Sequence, residues 1–448
     1  MVKKIFAVLF SCLIVLGGLN LNSSFVKADD LNWSDDSIRA SAYTSKDEDA
    51  KTIEITSAKE LGLLAYDVNN GNTYEGWTIT LKNDIDLSGH NWDPIGHYTE
   101  SYIDSNTKVF KGSFDGYNHT ISNMNINIEN VSDNNSAFGF FGGVLKGCVK
   151  NLKFENSNVE IGNSSDSICV GTVAGFFAGS EVSNITVDNS IIKGNGSSSV
   201  FVGVLCGSLY SSTSSSYNSN ISNIIVSNIT LSANTNDWKY RGGMIGYINE
   251  FNSVINNCYS SNITFMEEAA QDKHDYSGGL IGYENGGTKQ YCYSDKLDIV
   301  GGQGPYPGTI ANSSKVIDGK LETPVTIDGK TYDSLVGAMN AWVEQAGGDF
   351  ITWDCDSFGV SHDLEAVYVD STYHKLSCKN CSYSTDEKHT LTLENKKEAT
   401  CTAEGYTGDE VCSVCKEVVK KGSVIEKYLT TMLAENAVCA GQLIQIIT

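Results

Sequence analysis

Arginine and proline are what this chain most lacks. Arg39 and Arg241 are the only guanidinium side chains among 448 residues, and proline occurs 4 times. With a formal net charge of −23, this deficit of positive charge excludes nucleic acid and anionic membrane surfaces as partners, since both are met with Lys and Arg. Turns must be made without proline, and 43 glycines among many Asn and Ser residues supply them. Long apolar runs are absent except at the start, where Ile5 to Leu19 follow Lys3 and Lys4. That run is short for a membrane span. With Val26-Lys27-Ala28 after it, it reads as an export signal cut after Ala28. A Leu-Pro-x-Thr-Gly sorting motif is missing, so covalent wall anchoring has no support. So is His-Glu-x-x-His: none of the seven His has the partner a zinc protease needs one helical turn away.

What the chain does have is repetition. Two apolar residues closed by Gly recur at Phe140-Phe141-Gly142, Val173-Ala174-Gly175, Leu205-Cys206-Gly207, Met244-Ile245-Gly246 and Leu280-Ile281-Gly282. The closing glycines are 32 to 39 residues apart. A second pattern follows each at a near-constant offset: Asn151-Leu152-Lys153-Phe154, Asn184-Ile185-Thr186-Val187, Asn223-Ile224-Ile225-Val226, Asn257-Cys258-Tyr259-Ser260, and a degenerate Tyr291-Cys292-Tyr293-Ser294. Alternation of apolar and polar residues marks strands. A unit of this kind cannot bury its apolar face alone, so units must stack, each strand about 4.8 Å from its copy. Two inward columns are predicted: Leu152, Ile185, Ile224, Cys258, Cys292, and Phe141, Ala174, Cys206, Ile245, Ile281. The closing glycines are expected to give the backbone freedom that corners need. Cys258 and Cys292 fall in one column, where buried thiols, or a disulfide, would fit.

The fold class is therefore all-β: a right-handed parallel β-helix-like solenoid with short capping helices and a small Cys/His-rich C-terminal module. The segments are a signal (1–28), a flexible acidic stretch (29–50), an N-terminal cap with first rungs (51–137), the repeats (138–300), a C-terminal cap (301–355), the module (360–427) and a tail (428–448). Ser57 with Glu60 three residues later predicts a capped helix over the first end. Leu335, Val336, Met339, Trp342 and Val343 at helical spacing predict a second helix closing the other end, with Trp353 nearby.

Asp84, Asp86 and Asp93 with His90 form the densest acidic patch. A glycoside hydrolase needs two carboxylates about 5 to 9 Å apart across a groove; a lyase would need clustered carboxylates for calcium. Asp84 and Asp86 alternate with Ile85 and Leu87, which places both on one solvated face. Tyr259 and Tyr293 alternate with the inward cysteines and so should point outward. With Tyr283 and Tyr291 they would make an aromatic surface of the kind that holds sugar rings.

In the module, His374-x3-Cys378-x2-Cys381-x7-His389 has metal-ligand spacing and offers four ligands for one structural zinc. Cys401, Cys412 and Cys415 resemble a second set without its fourth member. Disulfides are the alternative in an exported chain.

The repeats resemble the GLUG-motif family of bacterial extracellular repeats, named for a Gly-Leu-apolar-Gly core. The resemblance extends upstream through Asp84-Ile85-Asp86-Leu87, Trp92-Asp93-Pro94-Ile95-Gly96 and Phe110-Lys111-Gly112-Ser113-Phe114-Asp115-Gly116, and downstream to the helix at Leu335 and to Trp353. It implies a β-helix without catalytic residues of its own. Such repeats occur in surface and adhesin-like proteins and beside a protease that cleaves immunoglobulin A. Ala399 to Gly408 with Val411-Cys412-Ser413-Val414-Cys415 resembles Cys-rich repeats on surface proteins of gut Firmicutes. This chain departs from them where a Gly-His usually follows the final strand. The function expected is a secreted or cell-surface bacterial repeat protein, adhesin-like and not an enzyme. It would bind or display a ligand, an extracellular glycan or a host surface protein. A polysaccharide-degrading enzyme on the same scaffold, or a purely structural stalk, are the alternatives.

Overall fold

The computed structural model describes residues 31–98, 108–131, 135–210, 217–266, 274–295 and 297–427. The predicted signal and the tail lie outside them. Strand is the dominant element, arranged chiefly in long parallel sheets. Each repeat visits three sheets in turn. One passes through Ile168–Val170, Ala174–Ala178 and Glu181–Asn195; the next through Val200–Gly203, Cys206–Tyr210 and Asn220–Asn234. Strands of the first kind build a five-stranded sheet and those of the second a six-stranded one. Those of the third kind belong to the longest sheet, of 16 strands.

Register follows the repeats. In the long sheet Leu152 pairs with Ile185, Ile185 with Ile224, Ile224 with Cys258 and Cys258 with Cys292, all parallel. In the six-stranded sheet Phe141, Ala174, Cys206, Ile245 and Ile281 align in the same way. Both predicted columns face one apolar core that runs from Ile53 to Cys292 between the sheets. Cys258 and Cys292 are free thiols. The Cys258 Sγ donates to Asn256 O at 3.1 Å.

The corners are made differently from the sequence expectation. None of the closing glycines 142, 175, 207, 246 and 282 has a positive φ. What they provide is room. A Cβ on Gly246 would lie 2.7 Å from Val202 N, and one on Gly282 would lie 2.7 Å from Arg241 N, both backbone atoms of the facing sheet. Bends along the strands of the long sheet fall to asparagine. Asn151, Asn184, Asn223 and Asn257 have φ of 55°, 55°, 60° and 51°, and Asn156, Asn189, Asn228 and Asn262 have 55°, 48°, 57° and 50°. Asparagine tolerates this left-handed region because its short amide bonds locally. Here that amide bonds to the next rung. Asn184 Nδ2 donates to Asn151 Oδ1 at 2.7 Å, Asn223 to Asn184 at 2.9 Å and Asn257 to Asn223 at 2.8 Å. Asn151 Nδ2 ends the ladder on Asp115 Oδ1 at 2.9 Å.

Helix α1 (Ala58–Asn69) starts as predicted: Ser57 Oγ accepts from Glu60 N. The Glu60 carboxylate turns instead to Thr56 N and Thr44 N, at 2.7 and 2.8 Å. Leu61, Leu64, Ala65 and Val68 seal the first end of the core. Helix α2 (Leu335–Ala346) also forms, capped by Ser334, but not at the end of the stack. It lies along the outer face of the long sheet. Asn257 Nδ2 donates to Met339 O at 3.2 Å, Asn223 Nδ2 to Ile351 O at 2.9 Å and Asn184 Nδ2 to Asp349 O at 2.8 Å. Helix α2 and the segment after it thus run across three rungs. The apolar face of α2 buries against Ile225, Tyr259 and Tyr293. Past it, two small antiparallel sheets make up most of the C-terminal module: one of Leu364–Tyr368, Tyr373–Cys378 and Ser384–Lys388, the other of Leu391–Glu394, Asp409–Cys412 and Val418–Lys420.

Candidate metal centres and ligand surfaces

The outer face of the long sheet is roofed where sequence alternation left it open. Tyr293 is fully buried and Tyr259 is 6% exposed, both packed under Leu335, Met339, Trp342 and Trp353, with Tyr291 half-buried beside them. Tyr259 and Tyr293 do point away from the inner core, as alternation requires. The polypeptide itself covers Tyr293 completely and most of Tyr259, whose remaining edge reaches the wall of a large cleft. Trp353 fixes the roof: its Nε1 donates to Asn223 Oδ1 at 2.7 Å, and its backbone exchanges two bonds with the Asn340 amide.

Tyr283 stands elsewhere, in an aromatic corner between the five- and six-stranded sheets. Phe201, Tyr240 and Tyr276 align on successive rungs of the first sheet, and Ser208, Tyr247 and Tyr283 on the second. Because the glycines bring the two sheets close, both columns meet. Phe201 and Tyr240 stack with centroids 5.1 Å apart, Tyr240 and Tyr276 at 5.7 Å, and Tyr240 lies 5.4 Å from Tyr247 across the corner. Trp238 extends the surface, 6.0 Å from Tyr240. Except for Tyr240, these rings are partly exposed. Burial holds the Tyr247 and Tyr283 hydroxyls above their ordinary pKa, so both stay neutral. Tyr210 and Asn249 pair two residues further along on the same face. Lower down, Tyr98 covers Phe176 at 4.3 Å and ends the corner.

The acidic patch does not converge. Asp84 accepts from Thr120 N at 2.9 Å and faces His119 Nδ1 at 3.1 Å, contacts that hold its carboxyl below the usual range. Asp86 accepts from Ser88 N and Asn123 Nδ2, both at 2.9 Å. Asp93 accepts from Ser34 Oγ at 2.9 Å and Asn69 Nδ2 at 3.1 Å. Each carboxylate ties its own segment to a neighbouring one. His90 packs edge-on against Trp33.

The Cys/His residues form two compact sets, and neither is the predicted one. The first is Cys355, His362, Cys378 and Cys381; the second is His374, His389, Cys412 and Cys415. In each, four candidate ligand atoms lie within 4.8 Å of one another. Cys401 belongs to neither. The reason is the strand Tyr373–Cys378. Over four residues a strand advances about 13 Å, so His374 and Cys378 cannot share an ion. The sets interleave instead, each knuckle taking partners from upstream. Cys355 was missed because it lies before the change in composition that announces the module, and His362, at that change, because it is far from the knuckle in sequence; a Cys and a His close together were their only signal.

Geometry in both sets fits a tetrahedral ion. Two Zn–S bonds of about 2.3 Å at the tetrahedral angle put the sulfurs about 3.8 Å apart, and a sulfur and a ring nitrogen about 3.6 Å apart. Cys355 Sγ and Cys378 Sγ are 3.6 Å apart, and Cys381 Sγ is 3.4 Å from His362 Nδ1. In the second set Cys412 Sγ is 3.9 Å from His374 Nδ1 and Cys415 Sγ 3.8 Å from His389 Nδ1. Knuckle amides support the sulfurs: Asn380 N donates to Cys378 Sγ and Val414 N to Cys412 Sγ, both at 3.4 Å. Burial alone would push the Cys378 and Cys412 thiols up. These amides, the neighbouring thiols, and His362 and His389 outweigh it and bring both down to about 6. His389 also shows the outer contact usual for a metal-bound imidazole, with its Nε2 2.8 Å from Asp370 O. His374 is fully buried, and the ring nitrogen it turns to Cys412, Nδ1, is the one placed to reach an ion.

A cleft of about 1270 Å³ lies between the roof, the long sheet and the module. Its lining includes Lys153, Asp188, Asp295, Asp318, Asp333 and Asp356. Among the described residues, no helix is long and apolar enough to cross a membrane.

No protein-family model and no curated protein matches the chain. Among solved structures it is similar to a Bacteroides ovatus protein described as "a putative immunoglobulin A1 protease". The identity is 18% and the TM-score 0.45, over 65% of this chain and 82% of that one.

Proposed function

We propose that this is a secreted bacterial surface protein of the GLUG-motif kind, folded as a right-handed β-helix, that binds extracellular glycan along its aromatic corner. One observation carries the reading: rings of Phe201, Trp238, Tyr240, Tyr247, Tyr276 and Tyr283 stand together and mostly part-exposed on successive rungs. Repeated rings at rung spacing suit a ligand that itself repeats, and the amide of Asn249 with the tyrosine hydroxyls supplies the polar contacts a sugar needs. The protein displays this surface and performs no chemistry there. The two Cys/His sets take structural zinc and stabilise a module too small to hold itself by burial.

The test is retention on immobilised plant, mucin and bacterial polysaccharides. The wild-type chain should be retained on at least one, and the pair Tyr247→Ala with Tyr283→Ala should lose at least tenfold in affinity while melting as before. Equal retention of wild type and variant would move the ligand site elsewhere. A polysaccharide hydrolase or lyase is the second reading, favoured by the aspartates lining the large cleft. Release of reducing ends from any polysaccharide, lost in Asp295→Asn or Asp356→Asn, would establish it over display.

A further inference from the structure

The two Cys/His sets differ in what they join. Cys412, Cys415, His374 and His389 all lie within the C-terminal module. The His374 strand belongs to one small sheet and the Cys412 strand to the other, so an ion there ties those two sheets together. The first set crosses a larger boundary. Cys355 opens a short turn, Cys355–Phe358, two residues after Trp353, the anchor of the roof on the long sheet. His362 lies in the connection that follows. Cys378 and Cys381 come from the knuckle of the module.

The surroundings of this first set mix the two parts as well. Cys355 and Cys378 pack in one buried cluster with Val336 of α2. The Asn340 amide of α2 donates to Trp353 O and to Asn380 O, both at 2.9 Å, so one side chain holds the roof and the knuckle at once. Asp354 Oδ1 accepts from Cys381 Sγ at 3.3 Å, and Asp356 Oδ1 stands 3.6 Å from His362 Nε2. That gives the imidazole the carboxylate partner usual behind a metal-bound His.

We infer that the first centre is a zinc staple between the repeat stack and the C-terminal module, with Cys355 and His362 as ligands from the stack side. The chain then holds two ions in series: the first docks the module on the stack, the second joins the two halves of the module. Losing the first frees the whole module; losing the second frees only the outer sheet. This rests on the zinc reading of both sets and adds a position and a purpose to one of them.

The test uses the chain from Asp29 to Thr448, purified with reductant and zinc sulfate and then desalted. Metal analysis should give two zinc ions per chain in the wild type and one in each of Cys355→Ser, His362→Ala and Cys412→Ser. Cobalt replacement should show thiolate charge-transfer bands at both centres, the stronger lost in Cys355→Ser, since three sulfurs serve that site and two the other. Small-angle scattering reads the docking: Cys355→Ser and His362→Ala should lengthen the particle as chelation of the wild type does, while Cys412→Ser should lengthen it less. A wild type with no zinc, and with Cys355 and Cys378 missing from a thiol titration, overturns the zinc reading altogether. Two ions in the wild type and still two in both Cys355→Ser and His362→Ala overturn the staple alone. So does one ion in those variants with an unchanged particle length.

Discussion

Replacing Asn223 by alanine should do more damage than any other single change on the outer face of the stack. Asn223 is fully buried, with a φ of 60°. Its amide makes four bonds: Nδ2 donates to Asn184 Oδ1 and Ile351 O, and Oδ1 accepts from Asn257 Nδ2 and Trp353 Nε1. Each bond contributes about 1 kcal/mol net, and more where a buried partner is left alone. Holding alanine in the left-handed region adds about 1 kcal/mol. The expected loss is therefore roughly 4 to 6 kcal/mol, at the far end of what point substitutions do. Asn223→Gly removes the same four bonds without the backbone strain and should recover about 1 kcal/mol of it. Urea unfolding followed by circular dichroism measures both values. Tryptophan emission should shift to the red in Asn223→Ala before the strands unfold, because Trp353 loses its bond to the ladder and the roof lifts. Were Asn223→Ala to unfold within 1 kcal/mol of the wild type, or the two variants to unfold alike, the argument for the ladder and its backbone would be refuted.

Gly246→Ala should destabilise by about 3 kcal/mol, since its Cβ would meet Gly207 O and Val202 N, backbone atoms that cannot step aside. Gly196→Ala, whose nearest new contact is Ser164 O at 3.3 Å, is the control and should cost under about 1 kcal/mol; equal unfolding midpoints would show that close approach is not why the glycine is there. Glu250 is fully buried, and burial raises its carboxyl from 4.5 to about 7 against the opposing pull of the Ser219 and Gly179 amides. Between those values the folded chain keeps a proton that the unfolded chain has released, so stability from this group is greatest below about 4.5 and is lost as pH rises through about 7, by at most roughly 3 kcal/mol. Glu250→Gln should flatten the stability profile across that window, and an unchanged slope would remove Glu250 from the account.

Strand pairing was legible in the sequence because it is local and periodic. Leu152, Ile185, Ile224, Cys258 and Cys292 repeat at an offset that fixes their register, and a slip by one residue would turn each of them outward. What covers the outer face was not legible. Tyr259 is roofed by residues about eighty positions later, and no pattern near Tyr259 carries that fact. The closing glycines could be located but not explained, since a strand seen alone does not reveal how near another backbone will pass. Asparagine carried a signal that alternation hides: it stands just before the first four of the five apolar runs, where the chain takes a positive φ that asparagine tolerates. The metal ligands were recognised by spacing and then grouped by nearness in sequence, which fails when a straight strand holds His374 and Cys378 apart. Cys355, ahead of the module, could be joined to Cys378 only in three dimensions.

The asparagine ladder has a direction. Each amide gives its hydrogen to the rung nearer the N-terminus, down to the carboxylate of Asp115, so the amide dipoles add head to tail and polarise one another. At the far end the Asn257 oxygen has no donor among the described residues, and the next rung carries Tyr291 in the same left-handed conformation. The stack is thus terminated at one end by an acceptor and left with a spare acceptor at the other. A further rung bearing asparagine could be inserted after Asn257 without changing a bond below it, whereas below Asp115 the series cannot continue, because a carboxylate has no hydrogen to hand to another amide. Extension of the ladder from its ends is open in one direction, and the polarity of a single side chain sets which.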